Sequence, residues 1–250
     1  MIILIILFVV VVLEFSYSTY VRDGMYSRES TQVNIFTQAF GVLKDVLIPS
    51  LGVIGIIGFV NGIVPHVLEI PFTLFSFITF LLLMDFLYYL FHRANHYFGL
   101  LWMFHFVHHS DTKLNLSVGF RSSWFEMVGL FATYSLLLVI GFPLSLFLAA
   151  FTVTSTYQFL THSRYIQIPT YLEYVFVTPH FHATHHDKRI QYQNSNFGGV
   201  FSLWDRLFST YVKDVEVSSF GIEGYKQNNV IKIHTDPILQ YVRRKFRALK

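Results

Sequence analysis

DFLYYLFHRANHYFGLLWMFHFVHHS, residues 85–110, holds five histidines within eighteen residues and sets the reading of the rest of the chain. His92 and His96 are four apart, and His105, His108 and His109 follow as H-x-x-H-H. On an α-helix, positions i, i+3 and i+4 lie on one face, so each group is expected to aim its imidazoles at one point. The H-x-x-H-H pattern returns as His182, His185 and His186, with His162 standing between, so nine imidazoles are offered from four places along the chain. A scattered histidine is usually a hydrogen-bonded structural residue. Clustered ones at ligand spacing point to a transition metal, because neutral imidazole is its commonest protein ligand.

Composition narrows both the ligands and the setting. The 250 residues are 53% hydrophobic and 13% charged, against a usual charged share of about 25%. Mean hydropathy is +0.48, and the apolar residues come in blocks long enough to cross a bilayer, which predicts a membrane protein. The absence of cysteine excludes disulfides, thiolate-ligated haem, iron–sulfur clusters and cysteine zinc sites. The pI near 9.0 does not indicate nucleic acid. Basic residues lie beside apolar blocks and in the tail Arg243, Arg244, Lys245, Arg247 and Lys250, which suits an anionic lipid surface.

Outward from the histidines, Phe72 to Phe91 is an apolar block that runs straight into His92, so the first ligands are expected where a span leaves the membrane. Before it lie a short turn, Pro65 to Pro71, and another apolar block, Val46 to Val64, whose glycines suit close helix packing in lipid. Arg22 to Asp45 reads as a loop or surface helix. Met1 to Leu13 lacks the positive start of a secretory signal and reads as a retained first span. It reaches the ~20 residues a span needs only by continuing through Glu14 to Val21. On the other side, Met127 to Leu160 is broken only at Gly141-Phe142-Pro143, which predicts a hairpin that enters and returns on one side and brings His162 to the other histidines. Fifteen of the eighteen Lys and Arg follow His92, so the histidine face is expected in the cytoplasm. The fold expected is all-α: a multi-pass integral membrane protein with a cytoplasmic histidine-rich cap holding a dinuclear metal site.

Nine imidazoles exceed the six or four positions of one octahedral or tetrahedral ion, which points to two metals. The 2-His-1-carboxylate triad and the Glu-x-x-His helices of carboxylate di-iron bundles are both lacking. Asp85-Phe86-Leu87-Tyr88-Tyr89 with His92-Arg93 and His96, then Leu101-Trp102 and His105-Phe106-Val107-His108-His109-Ser110, resemble the first two boxes of the fatty acid hydroxylase/sterol desaturase superfamily of membrane di-iron enzymes. Thr178-Pro179, His182 and His185-His186 resemble its third box, and Asn196-Phe197-Gly198-Gly199 and Leu203-Trp204-Asp205-Arg206-Leu207-Phe208 resemble the segment on its C-terminal side. The likeness runs from Asp85 to Tyr211, with Gln158 standing four residues before His162 where some members offer a further histidine.

The resemblance implies O2-dependent hydroxylation or desaturation of an unactivated C–H bond in a lipid: a sterol, fatty acyl, sphingoid or ether lipid. It implies two iron ions, though zinc also suits imidazole sites, and O2 as co-substrate. The electron donor is expected to be a separate carrier, cytochrome b5-like or ferredoxin-like. His92, His96, His105, His108, His109, His162, His182, His185 and His186 are the expected metal ligands, with Asp85 and Asn196 as candidate catalytic side chains. Asp85, seven residues before His92, is the candidate to orient an imidazole. His180 has the wrong spacing for the box. Three segments are expected: membrane spans and a polar loop over 1–84, the catalytic region over 85–212, and a basic tail over 213–250. The expected location is a bacterial inner membrane or the endoplasmic reticulum. Two other classes compete. A histidine-rich metal transporter or sensor would place its ligands near the bilayer midplane on broken helices, whereas these gather at span ends. An inactive lipid-binding scaffold would be expected to have lost box histidines, and all eight are present.

Overall fold

A computed structural model of the chain describes residues 2–47, 58–59, 62, 67–213, 215–217 and 219–248. Among these the fold is helical, with isolated bridges in place of β-strands. The apolar block from Val46 to Val64 lies for the most part outside the described residues.

α1, Ile2–Val21, is an apolar helix with few side chains covered by the rest of the protein. The segment left open between loop and surface helix is a helix, α2, Arg28–Leu47. α3, Leu74–Tyr97, begins where Thr73 caps it, accepting from the Ser76 N–H while Ser76 accepts in return from the Thr73 N–H at 2.8 Å. This reciprocal cap satisfies two of the amide groups that a helix start leaves unpaired. α1 and α3 are the two described helices long and apolar enough to cross a membrane. α3 extends nearly two turns past the apolar block, to Tyr97, and carries both His92 and His96. α4, Gly99–His109, follows after a break at Phe98.

α5, Glu126–Ile140, and α6, Leu144–Leu160, form the expected hairpin. Gly141 turns it at φ +118, where a Cβ would sit 1.8 Å from the Leu68 carbonyl oxygen. No L side chain fits that approach. Its apex is held by backbone bonds from Leu68 to Ile140 and from Ile70 to Gly141. The hairpin packs on α3 through Phe80, Met84, Phe131, Leu138, Leu146 and Phe147. α3 thus holds the apolar core at its start and two candidate ligands, His92 and His96, at its end. The remaining helices are short: α7, Pro179–His185, α8, Ile190–Gln193, and α9, Leu203–Leu207. The last, α10, is Val230–Ala248 and packs on α4.

Candidate metal centre

The nine imidazoles converge on two points. His92, His96, His105, His109 and His185 form one group and His108, His162, His182 and His186 the other, each with ligand atoms within 4.8 Å of one another. This corrects the expectation that each H-x-x-H-H run aims at one point. His105 and His109 go to the first group while His108 goes to the second. His182 and His186 go to the second while His185 goes to the first. On a helix the i and i+4 positions are ~40° apart and adjacent residues ~100° apart, so neighbouring histidines face different centres. The centres abut, with the His109 and His186 rings 4.5 Å apart.

The ring nitrogens bear on what the two groups could hold. His92 donates its Nδ1–H to the Phe197 carbonyl at 2.8 Å, His185 to Ser195 at 2.7 Å, His162 to Gln158 at 2.9 Å and His108 to Arg121 at 3.1 Å. A carbonyl has no proton to give, so in each neutral ring the Nε2 carries a bare lone pair. The Nε2 atoms of His108 and His162 nevertheless approach to 3.3 Å, and those of His92 and His105 to 3.0 Å. Buried His96 Nε2, His109 Nδ1 and His185 Nε2 have no hydrogen-bond partner. Converging lone pairs and orphaned buried nitrogens fit a cation between them. Burial favours the neutral form the ligands need: it pushes His105 and His162 down to about 3 and His108 to about 4.

The carboxylate that supports a ligand is Glu126, outside the expected set. Its Oε1 accepts from His105 Nδ1–H at 2.5 Å and from Asn95 Nδ2 at 3.1 Å. One signal could have found it: Glu126 is the sole acidic residue between Asp111 and Glu173, at the very start of an apolar stretch. Asp85 has a different part from the one expected. Its Oδ1 accepts from the Val200 N–H at 2.7 Å, and its Oδ2 from Phe201 N–H at 3.1 Å and Trp204 Nε1–H at 3.0 Å. Asp205 likewise accepts from the amides of Phe197 and Gly198, both at 2.7 Å. The two acids clamp the loop whose Phe197 carbonyl holds His92, so Asp85 acts on that ligand through the backbone. Asn196, at φ +57, bonds the Phe181 carbonyl at 3.2 Å and both backbone groups of Val212, at 3.0 and 2.8 Å. It ties α7 to the following loop. His180 is in neither ligand group; it faces Glu173 at 3.4 Å and the Val215 carbonyl at 3.2 Å.

Replacing Asp85 by Asn turns an amide N–H toward groups that are themselves donors. Asp85→Asn is expected to cost about 2 kcal/mol or more and to lower the Tm in detergent by several degrees. An unchanged Tm would show that the clamp is dispensable.

A cavity of about 480 Å³ opens beside the centres, within the usual ~300–1,000 Å³ of ligand sites. His92 and His105 of the first group and His108, His162 and His182 of the second reach it. Leu4 and Leu7 of α1, Leu130 and Phe131 of α5, and Phe151 and Phe159 of α6 give it apolar walls.

The fatty acid hydroxylase family profile matches residues 77–210, a segment that holds all nine histidines and Glu126. Alkylglycerol monooxygenase of Caenorhabditis elegans is 35% identical over 147 residues, 58% of this chain and 29% of that protein. The Homo sapiens alkylglycerol monooxygenase is 32% identical over 138 residues, 55% and 31% of the two chains. An ornithine lipid hydroxylase of Rhizobium tropici is 31% identical over 153 residues, 60% and 46% of the two chains. The matched regions thus span less than half the length of each of these relatives. No solved structure matches.

Proposed function

The chain belongs to the fatty acid hydroxylase family, and from that premise we propose that it is a membrane-bound di-iron oxidoreductase that oxidises an unactivated C–H bond of a lipid. The observation that carries the reading is the apolar cavity, which meets histidines of both centres. A buried alkyl or acyl chain lying in it would run along the apolar walls and reach both histidine groups. The relatives are named for alkylglycerol and ornithine lipid, so we take an alkyl or acyl lipid bearing a polar headgroup as the substrate. The segments before residue 85 supply spans, residues 85–212 the catalytic region and residues 213–250 a basic tail.

The five-histidine and four-histidine groups would each hold one iron; when bound, the pair supplies O2 reduction and the oxidant for the C–H bond. The chain's own part is positional. Carbonyls of Phe197, Ser195, Arg121 and Gln158 fix the tautomer and angle of four ligands. Glu126 holds His105 with its Nε2 turned into the centre. The walls from α1, α5 and α6 exclude water and align the chain. We place α1 and α3 across the bilayer with the centres at its cytoplasmic face, supplied with electrons by a separate carrier.

The test is protein purified in detergent after growth with iron, assayed for metal content and for O2-dependent products from an alkylglycerol and from acyl lipids with a reducing system. Two irons per chain and a hydroxylated or desaturated lipid are expected. A single zinc with no lipid product under any donor would sink the reading.

A further inference from the structure

α10 has two unlike faces. The inner one is built into the fold: Ile233 is fully buried, His234 stacks on Trp124 at 3.9 Å between ring centres, and the Tyr241 ring lies 3.5 Å from where a Gly99 Cβ would stand. The outer one carries Ile231, Leu239, Val242 and Phe246, each at least 40% exposed. At ~100° per residue these four fall within an arc of about 80°. Lys232, Arg243 and Arg247 follow on one side of that stripe and Lys245 on the other. Residues 230–250 hold six of the eighteen basic residues and one of the fifteen acidic ones, so they carry +5 while the remainder carries −2. The excess positive charge of the chain is confined to this segment.

The helix also passes a marked height. α3 ends at Tyr97, and Tyr97, Phe98 and Leu100 are all exposed beside the Gly99 that Tyr241 covers. Exposed aromatic residues where a span ends are the usual markers of the bilayer surface. An apolar stripe flanked by cations at that height suits a surface offering chains and anions at one depth. A headgroup layer does so.

We propose that α10 lies in the interface of an anionic bilayer, with Ile231, Leu239, Val242 and Phe246 among the lipid chains and the flanking Lys and Arg on the headgroups. This rests on the membrane placement in the proposed function. An acidic protein would answer the cations, but the apolar stripe between them is answered at the same depth by lipid chains.

The chain has no cysteine, so single-cysteine labelling of the full protein is clean. Val242→Cys and Phe246→Cys on the outer face of α10, and Ile78→Cys in α3 as a reference, are nitroxide-labelled and reconstituted. The vesicles are phosphatidylcholine alone or phosphatidylcholine with phosphatidylglycerol. With anionic lipid, the α10 labels are expected to be accessible to O2 and shielded from a water-soluble relaxant. Replacing Lys232, Arg243 and Arg247 by Gln is expected to lower the ratio of shielded to open label by about fivefold per charge. If the α10 labels stay water-accessible in both vesicles while Ile78→Cys is in lipid, the inference is wrong and the membrane placement stands. If Ile78→Cys is also in water, the placement itself fails. Shielding that tracks added acidic protein, or protein density in the vesicle, in place of lipid charge would also overturn it.

Discussion

The double variant His108→Ala with His109→Ala is expected to lose both metals, whereas His108→Ala with His186→Ala is expected to keep one. The first pair is adjacent in sequence but divided between the two centres, and the second is far apart in sequence yet shares the four-histidine group. Each single variant should remove one metal, so a second substitution in the same centre adds nothing and one in the other centre removes the rest. Lipid oxidation should fall in all of them by more than the ~10–100-fold expected on loss of a partner behind a ligand. Metal analysis with thermal unfolding as the control for folding separates the cases. Equal metal content in the two double variants would mean that the imidazoles do not divide as the geometry divides them.

Glu126→Gln is expected to lower metal affinity at the five-histidine centre by about 10–100-fold while leaving the four-histidine centre loaded. The 2.5 Å contact to His105 Nδ1 is between an imidazole N–H and a carboxylate oxygen, and Asn95 Nδ2 approaches the same oxygen at 3.1 Å. A glutamine oxygen would still accept there, but without the negative charge that makes Nε2 of His105 a stronger donor to a cation. Competition with a zinc chelator reads the affinity directly, and the iron spectrum of the loaded protein reads the change at one centre. Glu126→Ala should exceed Glu126→Gln, since it also leaves His105 Nδ1–H without its acceptor. Equal affinity in wild type and both variants would make Glu126 a packing residue.

Legibility in the sequence varied with how local each feature is. The all-helical fold and the apolar helices followed from unbroken apolar runs, and the hairpin from Gly141 and Pro143, because backbone geometry and hydropathy act over a few residues. The histidine groups were visible for the same reason: i, i+3 and i+4 spacing is a property of a single helix. The family likeness rested on spacing and flanking residues agreeing across the boxes, and the family profile matches that same region.

The side-chain contacts between distant segments were not readable. Asp85 precedes His92 by two turns and so invited a direct contact, yet its three hydrogen bonds run to Val200, Phe201 and Trp204, more than a hundred residues away. Glu126 reaches His105 only because α5 is laid against the ligand helices. The chain by itself thus determined the helices and the clustering of nine histidines, through patterning and spacing. Tertiary structure alone decided which imidazole joins which centre and which acid supports a ligand. Those choices depend on how α3, α4, α6 and α7 are rotated against one another, and that rotation is set by packing between segments distant in sequence.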